Sequence, residues 1–156
     1  MFVLDGEMSN YLLPKGLILN IIGAISTSSA TYFWMEFVGT TVECLSMEEM
    51  MALSNMVIDV VRKNVVVAVD MTTYKYLRNM TLTPYELVFS DENARFLIQY
   101  RFNVSKMEPL VPKQQFPDNH TLWRKYNKVK MDRIDIGSCI AGKIEDFMLQ
   151  QILSLW

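Results

Sequence analysis

Hydrophobic positions in this chain fall mostly into short runs parted by polar, glycine or proline breaks. One longer run carries a helical period. Leu17 to Ile25 follows a Pro14/Gly16 break and is rich in β-branched residues, which predicts a strand. A small-residue turn, Ser26 to Ala30, leads into a second run, Thr31 to Val38, and strand, polar turn, strand reads as a hairpin. Its dense aromatics imply that both faces are at least partly covered. Ser46-Met47-Glu48-Glu49 then opens a helix with a capping box, in which Ser46 and Glu49 each satisfy the other's backbone N–H. Met47, Met50, Met51, Ser54, Val57, Ile58 and Val61 share one face of it. Arg62 and Lys63 suit the C-terminal end of the dipole.

From Asn64 to Leu110 the pattern predicts β structure throughout. The strands are Val65–Val69, Tyr74–Arg78, Tyr85–Phe89, Phe96–Tyr100 and Val104–Met107, with a turn at Ser90 to Asn93. So many short strands in one stretch suit a small barrel. Pro109, Pro112 and Pro117 mark an irregular connection that runs to Asn119. Thr121 to Val129 reads as a short helix holding Trp123 and Tyr126. Ile134 to Ile144 and Phe147 to Leu153 read as a terminal hairpin about Glu145-Asp146, favoured by Gly137 and Gly142. A helix from Ile144 to Leu155 is the competing reading. Trp34 is expected in the core, and Trp123 packed on the barrel.

With 156 residues, 51% of them hydrophobic and 21% charged, the chain is expected to form one domain. Neither a disulfide nor a metal is needed for stability at this length. The net charge of −2 lacks the basic surplus that duplex nucleic acid demands. The local run Arg124 to Lys130 reads as a solvated face. Cys44 and Cys139 have no metal-site spacing and sit in apolar runs, so they read as reduced core thiols. Three glycosylation sequons begin at Asn79, Asn103 and Asn119. The acidic N-terminus does not look like a signal peptide. Gly16 to Ala24 is too short to span a bilayer.

Catalytic chemistry is hard to find. His120, the one histidine, reads as a solvated loop residue. No phosphate loop, metalloprotease motif or nucleophile elbow is present. Asp132 and Asp135 beside Arg133 read as a polar turn, and Glu48 and Glu49 are explained by the cap. The expectation is a chain that is not an enzyme, with no catalytic residue, no metal and no cofactor.

The run Phe96-Leu97-Ile98-Gln99-Tyr100-Arg101-Phe102-Asn103, with Pro109-Leu110 after it, resembles the strand–turn–strand signature of Tudor domains. Ser28 to Met35 looks like the opening strand of the extended form of that family, and Ser46 to Arg62 like its long helix. The resemblance implies a mainly β (α+β) fold, with a small SH3-like Tudor barrel inserted into a split nuclease-like or oligonucleotide-binding-like β-subdomain. Residues 1–63 and 111–156 would form the split part and residues 64–110 the barrel, all within one domain, 1–156.

Tudor domains often hold methylated arginine in an aromatic cage by cation–π attraction. The resemblance places Tyr74 or Tyr76, Gln99, Tyr100, Phe102 and Asn103 at a peptide- or partner-binding site. Leu97 and Asp70 stand where two further aromatics are usual, and Arg101 adds a positive charge in the turn. The expected function is therefore a scaffold that docks a protein partner by packing. The resemblance sets it in small-RNA (piRNA-type) processing or a germ granule, in the cytoplasm or near the nucleus. The alternatives are a methylarginine-peptide reader with a rebuilt cage, and a single-stranded RNA binder that stacks bases on Tyr32, Phe33 or Trp123. An unrelated viral or secreted α+β domain is a further alternative.

Overall fold

Pro14 opens a helix, α1 (Pro14–Ile25), where β-branched composition predicted the first strand of a hairpin. Proline suits a first helical turn because its missing N–H would lack a partner there anyway. Leu17, Ile18, Ile21, Ile22 and Ile25 are buried, and that spacing is one face of a helix. Covering an aliphatic side chain is worth about 1.5–3 kcal/mol, against at most about 0.7 kcal/mol by which isoleucine disfavours a helix. Packing therefore overrides propensity.

The computed structural model of the protein describes residues 1–25, 33–57, 64–91, 93–113, 119–125, 130, 132–137 and 142–154. The Ser26–Ala30 turn, the Arg62/Lys63 helix end, Cys139 and Trp156 fall outside them.

Four strands, β1 (Phe2–Asp5), β2 (Trp34–Val38), β3 (Asn64–Val67) and β4 (Tyr100–Asn103), form one sheet in the order β3-β2-β1-β4. Every neighbouring pair is parallel. Parallel neighbours need long crossovers, usually helical, and helices lie in all three. The first crossover is α1. The second holds α2 (Thr40–Glu43) and α3 (Met47–Met56), and the third holds α4 (Met71–Met80). The chain is thus α/β with a mostly parallel sheet, and the expected SH3-like barrel in a split β-subdomain is not what forms. β3 and β4 lie within 64–110 and β1 and β2 within 1–63, so a single sheet runs across residues 63 and 64.

Register builds the core. Phe2 pairs with Phe37 and Tyr100, Leu4 with Phe102, and Met35 with Val65. Residues paired in this way point to the same face. Phe2, Leu4, Met35 and Phe37 are buried on that face and join the aliphatic stripe of α1 and Met50, Leu53 and Val57. The Phe2 ring stacks on Tyr100 at 5.1 Å and on Phe102 at 6.4 Å between centroids. On the opposite face Trp34 is 62% exposed, so it is not the core residue expected. Ser90 reaches that face, its hydroxyl donating to Glu36 at 2.5 Å.

The capping box forms as expected. Ser46 N–H donates to Glu49 Oε2 at 2.8 Å, and Glu49 N–H to Ser46 Oγ at 3.2 Å. Tyr74 to Arg78, predicted as strand, belongs to α4. Asp70 caps that helix by accepting from Thr73 N–H at 2.8 Å. Tyr85 to Phe89 and Phe96 to Gln99 have no regular structure. Val104–Lys106, also predicted as strand, is a 3-10 turn.

The proline-rich connection forms a short antiparallel ladder, β5 (Leu110–Pro112) with β6 (His120–Leu122). In place of the expected short helix, β6 runs into a 3-10 turn at Trp123–Lys125, where Trp123 is exposed. The terminal hairpin is not observed. Its second half is helix α5 (Ile144–Ser154), the competing reading. Among the described residues, no helix is long and apolar enough to cross a membrane.

Candidate functional site

In open parallel sheets, ligands sit beyond the carboxyl ends of the strands, near the point where strand order reverses. Here the chain steps outward from β1 to β2 to β3 and returns to the other side of β1 as β4, so the reversal lies between β1 and β4. Their carboxyl ends carry a polar network. Thr40 N–H donates to Asp5 Oδ1 at 3.2 Å, and Gly6 N–H to Thr40 Oγ1 at 3.1 Å. Thr41 Oγ1 donates to the Gly6 carbonyl at 2.6 Å. Glu7 N–H donates to Ser105 Oγ at 2.9 Å, and Ser105 N–H to Asn103 Oδ1 at 3.1 Å. Gly39 makes this closure feasible. Its φ is +113°, and a Cβ there would lie 2.4 Å from the Leu4 carbonyl oxygen. The network ties three loops together and rigidifies the carboxyl edge of the sheet.

Further along the sheet, beside β3, a cavity of about 600 Å³ opens between α3, β3 and the start of α4. Its size falls within the usual range for small-molecule sites. Apolar walls come from Met50, Met51 and Val57 on one side and from Val65, Val67 and Val69 on the other. The polar groups are few: Ser54, Asn55, Asn64, Thr73 and Lys143. Ser54 Oγ donates to the Met50 carbonyl at 2.8 Å, and Thr73 Oγ1 donates to Asp70 at 3.0 Å, so both hydroxyl protons are already engaged within the protein. Asn64 Oδ1 accepts from Val65 N–H at 2.9 Å.

Among the described residues, Lys143 is the one charged side chain of this lining. It stands just before α5 and is held there by Asp146, whose Oδ2 accepts its backbone N–H at 3.1 Å. The other carboxylate oxygen of Asp146 pairs with Lys15 of α1. Burial pushes the Asp146 carboxyl up, but its bonds to Lys15 and to the Lys143 and Gly142 backbone outweigh that and hold it below the usual carboxylate range. Lys143 is thus placed through a chain of contacts that ends on α1.

The residues expected to form a partner-binding cage are not gathered into one. Tyr100, Phe102 and Asn103 lie on β4, and the two rings are in the sheet core against Phe2. Asn103 belongs to the carboxyl-edge network. Gln99 is exposed just before β4. Tyr74 and Tyr76 ride on α4, where Tyr74 borders a second, smaller hollow with Leu87 and Phe89.

His120, expected in a solvated loop, lies on β6 with its ring against Gly23 of α1, and its Nδ1 is buried without a partner among the described residues. Cys44, expected in the core, is exposed at the end of α2. Arg133 pairs with Asp135 on the surface, as the polar-turn reading expects. The cleft residues Asn55, Asn64 and Lys143 were not singled out from the sequence. The available signal was the polar pair Ser54-Asn55 within an apolar helix.

The aconitase family (aconitate hydratase) profile matches residues 1–128. Over 147 residues, 94% of this chain, the sequence is 56% identical to the 3-isopropylmalate dehydratase large subunit, chloroplastic, of Arabidopsis thaliana, covering 29% of that protein. It is 37% identical over 148 residues to the large subunit of the same name from Halothermothrix orenii, covering 95% of this chain and 35% of that one. It is 35% identical over 150 residues to 3-isopropylmalate dehydratase large subunit 1 of Pyrococcus abyssi, covering 95% of this chain and 36% of that one. The chain spans about a third of the length of these curated relatives. These matches overturn the Tudor resemblance. With it go the non-enzymatic scaffold, the methylarginine and RNA-binding alternatives, and the partner in an RNA-processing or germ-granule complex.

Proposed function

Because this chain belongs to the aconitase family, we propose that it forms part of the large subunit of a dehydratase acting on 3-isopropylmalate, with the cleft between α3 and β3 engaging the substrate. The observation that carries the reading is the similarity to the Arabidopsis large subunit along nearly the whole chain. The cleft supports it with a volume suited to a small acid, mostly apolar walls and one cation.

A dehydratase takes a hydroxyl from one carbon and a proton from its neighbour. It therefore needs a base for the proton and an acid or metal for the departing oxygen. In the cleft, Asn55, Asn64, Ser54 and Thr73 are neutral groups that orient a substrate by hydrogen bonds, and Lys143 supplies charge. Among the described residues, no group of three or more His, Cys, Asp or Glu could hold a metal ion. On this reading, a large subunit works with a smaller one. The name of the Arabidopsis relative supports a plastid location.

The test is a chimera in which this chain replaces the matching third of the Arabidopsis large subunit. It is assayed with the complementary subunit for conversion of 3-isopropylmalate to the unsaturated acid. Turnover within about tenfold of the parent (~1.4 kcal/mol in barrier) is expected. A folded, assembled chimera without turnover refutes the reading.

A further inference from the structure

We propose that Ser90, outside the α3–β3 cleft, is a phosphorylation site, and that a phosphate there releases residues 85–91 and 93–99 from the outer face of the sheet. Two serines in the chain are followed within three residues by two acidic ones, Ser46 by Glu48 and Glu49, and Ser90 by Asp91 and Glu92. Acids in those positions suit a kinase with a basic substrate groove, since kinases select substrates by charge pattern. The structure separates the two serines. Ser46 is half-buried and its Oγ accepts the Glu49 N–H in the capping box, so its backbone is fixed at the start of α3. Ser90 is exposed on a stretch without regular structure, which is free to lie along a groove in extended form.

The Ser90 hydroxyl is also what fastens this stretch. At one end Leu87 and Phe89 lie near Val69 and Tyr74, past the end of β3. At the other, Leu97 and Ile98 lie near Phe33 and Trp34, at the start of β2. Between them Ser90 donates to Glu36 of β2 at 2.5 Å. Among the described residues, this is the one side-chain hydrogen bond from the stretch to the sheet. Val88, Phe89 and Leu97 are mostly exposed, so apolar burial adds little to the attachment.

The modification moves the terminal phosphoryl group of a nucleoside triphosphate to Ser90 Oγ. The bond from that phosphorus to the departing diphosphate breaks, the Oγ–P bond forms, and the hydroxyl proton passes to a base of the kinase. The donor that bonded to Glu36 is thereby removed, and a group carrying about −1.5 to −2 charge takes its place. Phosphate beside a carboxylate disrupts by like-charge repulsion. Two cations stand nearby. The Met1 ammonium bonds to the Ile98 carbonyl at 2.9 Å and feels the charge of Glu36, and Arg95 lies with Leu97 at the far end of the stretch. The phosphate together with Glu36 and Asp91 outweighs them, so the contact changes from attraction to repulsion.

The purified chain and its Ser90→Ala, Glu36→Gln and Glu36→Lys variants, each shown to be folded by circular dichroism, are incubated with an acidophilic serine kinase, ATP and Mg²⁺. Peptide mass spectrometry is expected to place a phosphate on Ser90 and none on Ser46. Tryptic cleavage after Arg95 then reports the population in which the stretch has left the sheet. Phosphorylation should speed it at least about tenfold in the wild-type chain, because a hydrogen bond to a charged group is lost and repulsion replaces it. Ser90→Ala should show no kinase-dependent change. Phosphorylated Glu36→Gln should show a smaller acceleration than wild type, and phosphorylated Glu36→Lys none, since its lysine attracts the phosphate. A folded chain that takes no phosphate at Ser90 overturns the site. Unchanged cleavage of the phosphorylated chain, or equal acceleration with and without the Glu36 carboxylate, overturns the release.

Discussion

Replacing Asp146 with alanine removes two contacts at once. One is the charged bond from Lys15, between side chains 26% and 10% exposed. The other is the bond from the Lys143 backbone N–H at 3.1 Å. Hydrogen bonds to charged groups contribute about 1.5–3 kcal/mol. The low end applies here, because Lys15 keeps a quarter of its exposure and is screened by solvent. The backbone bond acts as a helix cap, worth about 1 kcal/mol. The sum is about 2–3 kcal/mol. With a urea slope of about 2 kcal/mol/M, the midpoint falls by about 1–1.5 M.

The pH dependence has a definite sign. The folded carboxyl lies below its unfolded value, which is about 3.9. Its contribution is therefore fully present above the unfolded value and is lost as pH falls through the lowered folded one. The gap between wild type and Asp146→Ala should be constant from about pH 8 to pH 5 and close below about pH 4. If α5 detaches alone, faster hydrogen exchange of its amides reports the loss. Unchanged midpoint and unchanged exchange at neutral pH, or a gap that widens as pH falls, refutes the reasoning.

Three further substitutions probe the frame. Gly39→Ala forces a side chain into φ +113° and within 2.4 Å of a backbone carbonyl oxygen; a loss of at least about 2 kcal/mol in urea unfolding is expected, and a loss under about 0.5 kcal/mol contradicts the turn geometry. Phe37→Ala empties the centre of the sheet core, where the ring is fully buried and lies 5.5 Å from Phe2; about 3–5 kcal/mol should be lost in thermal or urea unfolding. Gly23→Ala places a methyl group 1.8 Å from the His120 ring; about 1–3 kcal/mol of destabilisation should accompany a shift of the His120 ring resonances, and unmoved resonances show that β6 does not lie where described.

What could be read from the sequence was what a few neighbouring residues decide. The Ser46–Glu49 box spans four positions and forms as expected, because both bonds lie within one turn. Asp70 and Thr73 carry the same kind of local signal, and reading it would have turned Tyr74 to Arg78 into a helix. The weaker guide was composition. Leu17 to Ile25 looked like strand because isoleucine favours strands, although its buried positions repeat at helical spacing. Tyr100-Arg101-Phe102-Asn103 was read as a turn from its resemblance to a signature. Its alternation is that of a strand with two rings facing the core, and Asn103 accepts from Ser105 N–H to start the next turn.

The cleft was out of reach for a different reason. It needs one face of α3, the carboxyl end of β3 and a lysine from the far end of the chain, brought together by a sheet whose neighbours are distant in sequence. Lys143 has no motif around it, and its place depends on Asp146, which pairs with Lys15, 131 residues away. The same separation makes the site testable in parts. Removing the Lys143 charge should affect anion binding and leave the sheet intact, whereas breaking the Asp146 tether should affect stability and binding together. A Lys15→Ala variant, which leaves both Lys143 and its backbone bond in place, distinguishes the two. If it weakens 3-isopropylmalate binding nearly as much as Asp146→Ala does, the tether to α1 is what positions the cation. If it leaves binding at the wild-type level, the bond from Lys143 N–H to Asp146 is sufficient by itself.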